Sequence, residues 1–249
     1  MQVRVRERLF ALAISIIAPC VMASASAQTS LIPHTATYKV SAGIAGGRLQ
    51  TQLVATADGF RATHSVRPTG LARLATRGTI IESSDFTLDG TRLRMRQYDS
   101  EDSISKERGT IALIFDWDDA QLTGEINLDD TPARSISQSL DPLLQDRVAI
   151  QYQLMLDLAN DGERETYQLF DIDGNKTLNI TRIGEESVKV GRQRYTAIGI
   201  QHQSEGSSRY TQLWCVPELG FLPAKIEQYR KDKLKVRISL LEYAPLSTD

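Results

Sequence analysis

The chain has 249 residues, with 29 Lys and Arg against 31 Asp and Glu and a net charge of −2. It therefore lacks the basic excess of a nucleic-acid binder, and at 41% hydrophobic residues it holds enough apolar material for a sizeable core. Two cysteines exclude a disulfide-dense scaffold, so stability must come from packing.

Residues 1–27 read as a signal peptide. Arg4, Arg6 and Arg8 give a basic start, an apolar run at 9–18 follows, and Ala25-Ser26-Ala27 supplies small residues for cleavage. The run is shorter than the roughly 20 residues that a bilayer demands, and no later stretch reaches that length. Cys20 follows Pro19, a poor setting for lipid attachment. The expectation is an exported, periplasmic protein whose mature chain, 28–249, is a single β-rich domain with no transmembrane segment and only Cys215 left.

From residue 35 onward the chain alternates strand patterns with turn signals. Strands are expected at 35–42, 48–57 and 60–66, with Asp58-Gly59 as a hairpin turn, then an irregular stretch at 67–75 and a strand at 78–88. After Asp89-Gly90, Arg92, Arg94 and Arg96 share one strand face against Leu93 and Met95, and read as a solvated face balanced by Asp99, Glu101 and Asp102. A polar loop is expected at 99–108. The strand at 110–117 turns Ile111, Leu113, Phe115 and Trp117 one way, while Ile114 on its polar side points to cover on both faces. A strand at 120–128 and a polar lead-in at 129–140 precede the main helical signal.

That signal spans 141–160. Asp141 and Pro142 suit a helix start, and Asn160-Asp161-Gly162 a helix end with the left-handed residue at glycine. Leu144, Val148, Tyr152, Met155 and Ala159 recur at three and four residues, so one broad face is apolar, and Gln145, Asp146, Gln153 and Asp157 fall mostly opposite. Arg147 has no carboxylate within a helical turn on its own element and is expected to reach an acid on a strand. Beyond the helix, strand patterns recur at 166–172, 176–183, 187–190, 194–202, 209–216, 221–230 and 234–243, with hairpin turns between them. With a single helix, parallel β-α-β units are excluded. The fold class is mainly β: a curved antiparallel sheet or open barrel with one long amphipathic helix packed on it.

Chemistry-bearing patterns are few. Asp171-Ile172-Asp173-Gly174-Asn175 has the composition of a calcium loop, but its glycine stands fourth and Arg182 occupies the twelfth position, so it reads as a hairpin turn and no metal or cofactor is expected. His34, His64 and His202 are scattered, Cys215 reads as a core thiol beside Trp214, and no nucleophile-elbow, zinc-protease, phosphate-loop or dinucleotide pattern occurs. This weighs against an enzyme. Pro217 and Gly220 form a turn, and Pro223, which cannot donate to a ladder, marks an edge or a strand start.

Gln145-Asp146-Arg147 and the run from Leu213 to Ile226, LWCVPELGFLPAKI, resemble the two signature regions of the bacterial domain of unknown function 3108 family. The resemblance extends from the first strand, with Tyr38 and Gly46-Gly47, to the last, and implies an exported β-rich envelope protein with no activity to carry over. The function expected from the residues is a non-catalytic binding module. Tyr152, Met155 and Trp214 would line a groove for a lipid, acyl chain or apolar client segment between helix and sheet. The alternative is an envelope scaffolding protein that holds a partner protein by a strand edge or apolar patch.

Overall fold

The computed structural model describes residues 31–75, 78–105, 108–162 and 164–247. The expected signal peptide lies outside them. Period-two patterning yields one meander after another. The first wing comprises β1 (His34–Ala42), β2 (Ala45–Thr56), β3 (Gly59–Thr69), β4 (Ile80–Asp89), β5 (Arg92–Asp102), β6 (Gly109–Asp116), β7 (Gln121–Leu128) and β8 (Arg134–Ser139), with a one-turn helix α1 (Ala72–Ala75) between β3 and β4. In β2, Leu49, Thr51 and Leu53 are buried while Arg48, Gln50 and Gln52 face solvent, as a half-wet strand requires.

The second wing comprises β9 (Leu144–Gln145), α2 (Ala149–Ala159), β10 (Thr166–Leu169), β11 (Lys176–Val190), β12 (Gln193–Ser204), β13 (Arg209–Val216), a 3-10 turn (Pro217–Leu219), β14 (Leu222–Arg230) and β15 (Lys233–Pro245). All of these strands belong to one sheet of 15 strands in the order β8-β7-β6-β5-β4-β3-β2-β1-β15-β14-β13-β12-β11-β10-β9. Its neighbours pair antiparallel except β9 and β10, which run parallel. The sheet does not close: β8 and β9 are its edges. Across that gap Arg134 donates to the Ile172 carbonyl and Gln138 Nε2 to Asn175 Oδ1 at 3.3 Å.

Several expectations change. The polar loop expected from 99 is still strand, because Asp99 and Glu101 pair with Ala112 and Thr110. The lead-in contains β8, whose outward polar residues hid a strand pattern. The two strands expected at 176–190 are one, bent at Gly184, whose φ of 102° accommodates the register shift there. Ile114 is 48% exposed, so β6 is covered on one face only.

The long helix is short. Residues 144–145 are extended and pair with β10, and α2 spans 149–159. Asp141 caps only a local turn, accepting from Leu143 N–H at 2.7 Å. The working cap is Asp146, whose Oδ1 accepts from the Val148 and Ala149 N–H groups at 2.8 and 2.7 Å. At the far end the left-handed residue is Asp161, with φ of 52°, and Gly162 N–H donates to the Asp157 carbonyl at 2.7 Å.

Nor is α2 amphipathic in the expected sense, since every residue from Tyr152 to Asp157 is buried. Gln153 and Asp157, expected on the wet side, are instead its anchors. Gln153 Oε1 accepts from Leu93 N–H at 2.8 Å and its Nε2 donates to the Thr91 carbonyl at 2.8 Å, while Asp157 accepts from Tyr167 Oη at 2.7 Å and Arg164 Nε at 2.8 Å. A helix inside a curved sheet has no wet side, and its polar groups must find partners in the wall.

Candidate functional site

The segment Gln145-Asp146-Arg147 divides into three tasks. Gln145 sits in β9, where its carbonyl accepts from Phe170 N–H at 2.8 Å. Asp146 caps α2 and takes a further bond from Ser84 Oγ at 2.5 Å; complete burial raises its carboxyl to about 6. Arg147 reaches the strand acid that its sequence setting demanded. Its Nε lies 3.3 Å from Glu82 Oε1 in β4, and Tyr98 Oη, 3.1 Å away, donates to the same carboxylate at 2.6 Å.

Between α2 and the sheet lies a cavity of about 430 Å³. Its apolar wall comes from both wings: Leu49 and Val66 from the first, Ile200, Leu213, Ile226 and Ile238 from the second, with Ile150 and Leu154 of α2 as the roof. The polar members are His64, Glu82, Arg147, Gln151, Tyr167, His202, Thr211 and Gln228. A smaller hollow of about 290 Å³, bordered by Arg164 and Arg182, shares Leu154, Tyr167, Ile180 and Ile200 with it.

The expected lining residues lie elsewhere. Tyr152 and Met155 are buried on the other side of α2, with Tyr152 ringed by His34, His64 and Phe86 at centroid distances of 6.2, 6.1 and 5.9 Å. Trp214 is on the opposite sheet face from the cavity-lining Leu213, because adjacent strand residues point opposite ways. Its ring covers Gly199, where a Cβ would stand 2.7 Å from it, and lies 4.8 Å below Lys225 Nζ. With α2 starting only at Ala149, it is Ile150, Gln151 and Leu154 that border the cavity.

Gln151 Nε2 and His64 Nε2, on two residues that border the cavity, are buried without a hydrogen-bond partner among the protein's own groups, as are Tyr152 Oη, Tyr38 Oη, Thr51 Oγ1 and His34 Nε2. Burial lowers both the His64 and the His202 imidazole to about 4, so each is neutral at pH 7. Burial also pushes the Cys215 thiol up to about 12, which leaves it an inert core group. His34 and His64 do come together around Tyr152. Among the described residues, no three His, Cys, Asp or Glu side chains gather as a metal site. Asp171 pairs with Lys176 across the turn once compared with a calcium loop. Pro217 opens the 3-10 turn that ends at Gly220, with φ of 64°, and Pro223 pairs with Cys215 at a bulge near the start of β14. Two members of the Arg row on β5 pair with acids other than those expected: Arg94 lies 2.6 Å from Asp89, and Arg96 3.8 Å from Asp58.

Fold and site together define a barrel-like antiparallel scaffold with a helix and an apolar cavity inside. The model of the DUF3108 family, proteins of unknown function, matches residues 35–238, and the chain belongs to that family. Among solved structures it is similar to a β-barrel-like protein of domain of unknown function DUF1849 from Brucella abortus, with a TM-score of 0.56 and 10% identity over 88% of this chain and 100% of that one. A looser similarity, TM-score 0.38 and 12% identity, joins 88% of this chain to 55% of MucB. No curated protein matches.

Proposed function

We propose that the protein is an exported, periplasmic binding module that holds the apolar chain of a lipid or acyl ligand in the cavity between α2 and the sheet. The observation that carries this is the cavity itself, about 430 Å³ with Leu, Ile and Val side chains from both wings and the helix around it. Apolar walls of that extent left to water are unfavourable, and an apolar chain would cover them. Thr211, Gln228 and Gln151 on its lining add the few polar points that ligand sites place among apolar walls. Export is supported by the basic start, apolar run and small residues of 1–27. No helix among the described residues is long and apolar enough to cross a membrane. The scaffolding alternative is less favoured, since the β8 edge is already bonded to the β10–β11 turn through Arg134 and Gln138.

The test is native mass spectrometry of protein purified without detergent, followed by titration of the delipidated protein with a fluorescent acyl probe. One bound chain per protein, lost in Leu213→Trp, is the expected result. Absence of any co-purifying ligand, together with no saturable probe binding, would remove the reading.

A further inference from the structure

On β13, Leu213 and Thr211 line the cavity, and on β14, Ile226 and Gln228 do so. Alternation carries that face outward to Arg209 and Arg230, which are direct cross-strand partners, and Arg230 in turn pairs with Lys233 of β15. Three cations thus stand in one register row, all exposed, on the cavity-side face at the strand ends next to the 205–208 and 231–232 turns. Like charges directly opposite one another are unfavourable in a sheet. Glu205 and Asp232 stand in the adjoining turns, yet neither makes an ion pair with these cations, whereas Arg61, Arg94, Arg147, Arg164 and Arg237 are each held by a carboxylate.

Taking the cavity as the seat of an apolar chain, as proposed above, we infer that Arg209, Arg230 and Lys233 receive an anionic head group at its mouth, so the ligand is an amphiphile with a phosphate, sulfate or carboxylate head. The chain lies against Leu213, Ile226 and Ile238, and the head displaces water from a row whose mutual repulsion it relieves. Inside, the Glu82–Arg147 pair and the neutral His64 and His202 offer no free positive charge. The head therefore belongs outside the apolar wall.

Matched single-chain probes test this in the full chain: dodecyl phosphate, dodecyl maltoside and dodecyltrimethylammonium, each below its micelle concentration, displacing a fluorescent acyl probe. Dodecyl phosphate should bind about tenfold more tightly than the maltoside at low ionic strength, with the gap shrinking as salt is added. Arg209→Gln/Arg230→Gln/Lys233→Gln should abolish the gap, leave maltoside affinity unchanged, and keep or raise Tm. Equal binding of the anionic and neutral probes overturns the head-group assignment while leaving the cavity reading intact. Retention of the gap in the triple variant, or its loss in Arg182→Gln at the smaller hollow, places the head elsewhere and also overturns it. If none of the three probes binds, the cavity reading itself fails.

Discussion

The wings of the sheet share one construction, antiparallel meanders joined by tight turns, but the space beside α2 is filled on one wing and open on the other. Against the first wing α2 sets Tyr152, and around it Phe86, Met95, Leu113 and Leu122 are sealed from solvent. Against the second it sets Ile150 and Leu154, facing Leu178, Ile200 and Leu213 across the cavity. Burial of apolar residues is common to both, and residue size separates them. Aromatic side chains such as Phe86, Tyr98 and Phe115 reach across a curved interior, whereas the Ile and Leu chains of β11–β15 stop short. An equal degree of hydrophobic patterning can thus produce a solid core or a receptacle.

Truncation should separate the two most strongly. Phe86→Ala, which opens a hole in the filled wing, is expected to cost about 3–5 kcal/mol, while Ile226→Ala, whose side chain already borders open volume, should cost roughly 2 kcal/mol or less. Urea unfolding measures both, and equal losses would erase the distinction. Asp157→Ala removes the acceptor that ties α2 to Arg164 and Tyr167 of the open wing, and should cost about 3 kcal/mol because the buried Tyr167 hydroxyl and Gln153 amide and the half-buried Arg164 guanidinium lose their partner. The same unfolding curves report it.

Acid should weaken the protein through one histidine on each wing. His64 and His202 are held near 4, below the ordinary 6.5, so the unfolded chain takes up protons first as pH falls. Their stabilising share is complete above pH 6.5 and is lost as pH falls to about 4. Asp146, raised from 3.8 to about 6, acts oppositely, favouring the fold as pH falls across that interval. His202→Gln should therefore flatten the decline in denaturation midpoint between pH 6.5 and 4, and Asp146→Asn should steepen it. The smallest effect is expected on the outer face of the filled wing, where Arg48 pairs directly with Lys39 and Arg67. Arg48→Glu should stabilise by about 0.5 kcal/mol in low salt and by less at high salt, read from thermal melts.

Strand alternation made most of the fold legible, because a half-buried strand writes its register into every second residue. What it hid were β8, in which Arg134, Ser135, Ser137, Gln138 and Ser139 leave Ile136 as the one apolar residue, and β9, whose Leu144-Gln145 fell inside an apparently helical repeat. The helix repeat was real from residue 149 onward, but periodicity carries no start signal: Asp141-Pro142 read as the start, and Asp146, read as a polar-face residue, is the cap. Arg147 was legible because an isolated partly buried guanidinium needs an acid, and Glu82 supplies it. Tyr152, Met155 and Trp214 were misplaced as lining because large apolar residues fill interiors as readily as they line hollows. The register row of Arg209, Arg230 and Lys233 could not be read at all, since partners across strands are set by the bulge between Gln228 and Tyr229.

The sheet order places β1 and β15 side by side at its middle, with Thr35 opposite Ala244 and Val40 opposite Ile238. The earliest strand described therefore waits, one flank bare, until the latest has left the ribosome. Such sequence-distant pairing is slow to form, and an unpaired strand invites wrong neighbours meanwhile. The interior comes into being only when this last zip is drawn, so any ligand it takes can be loaded only into a finished molecule.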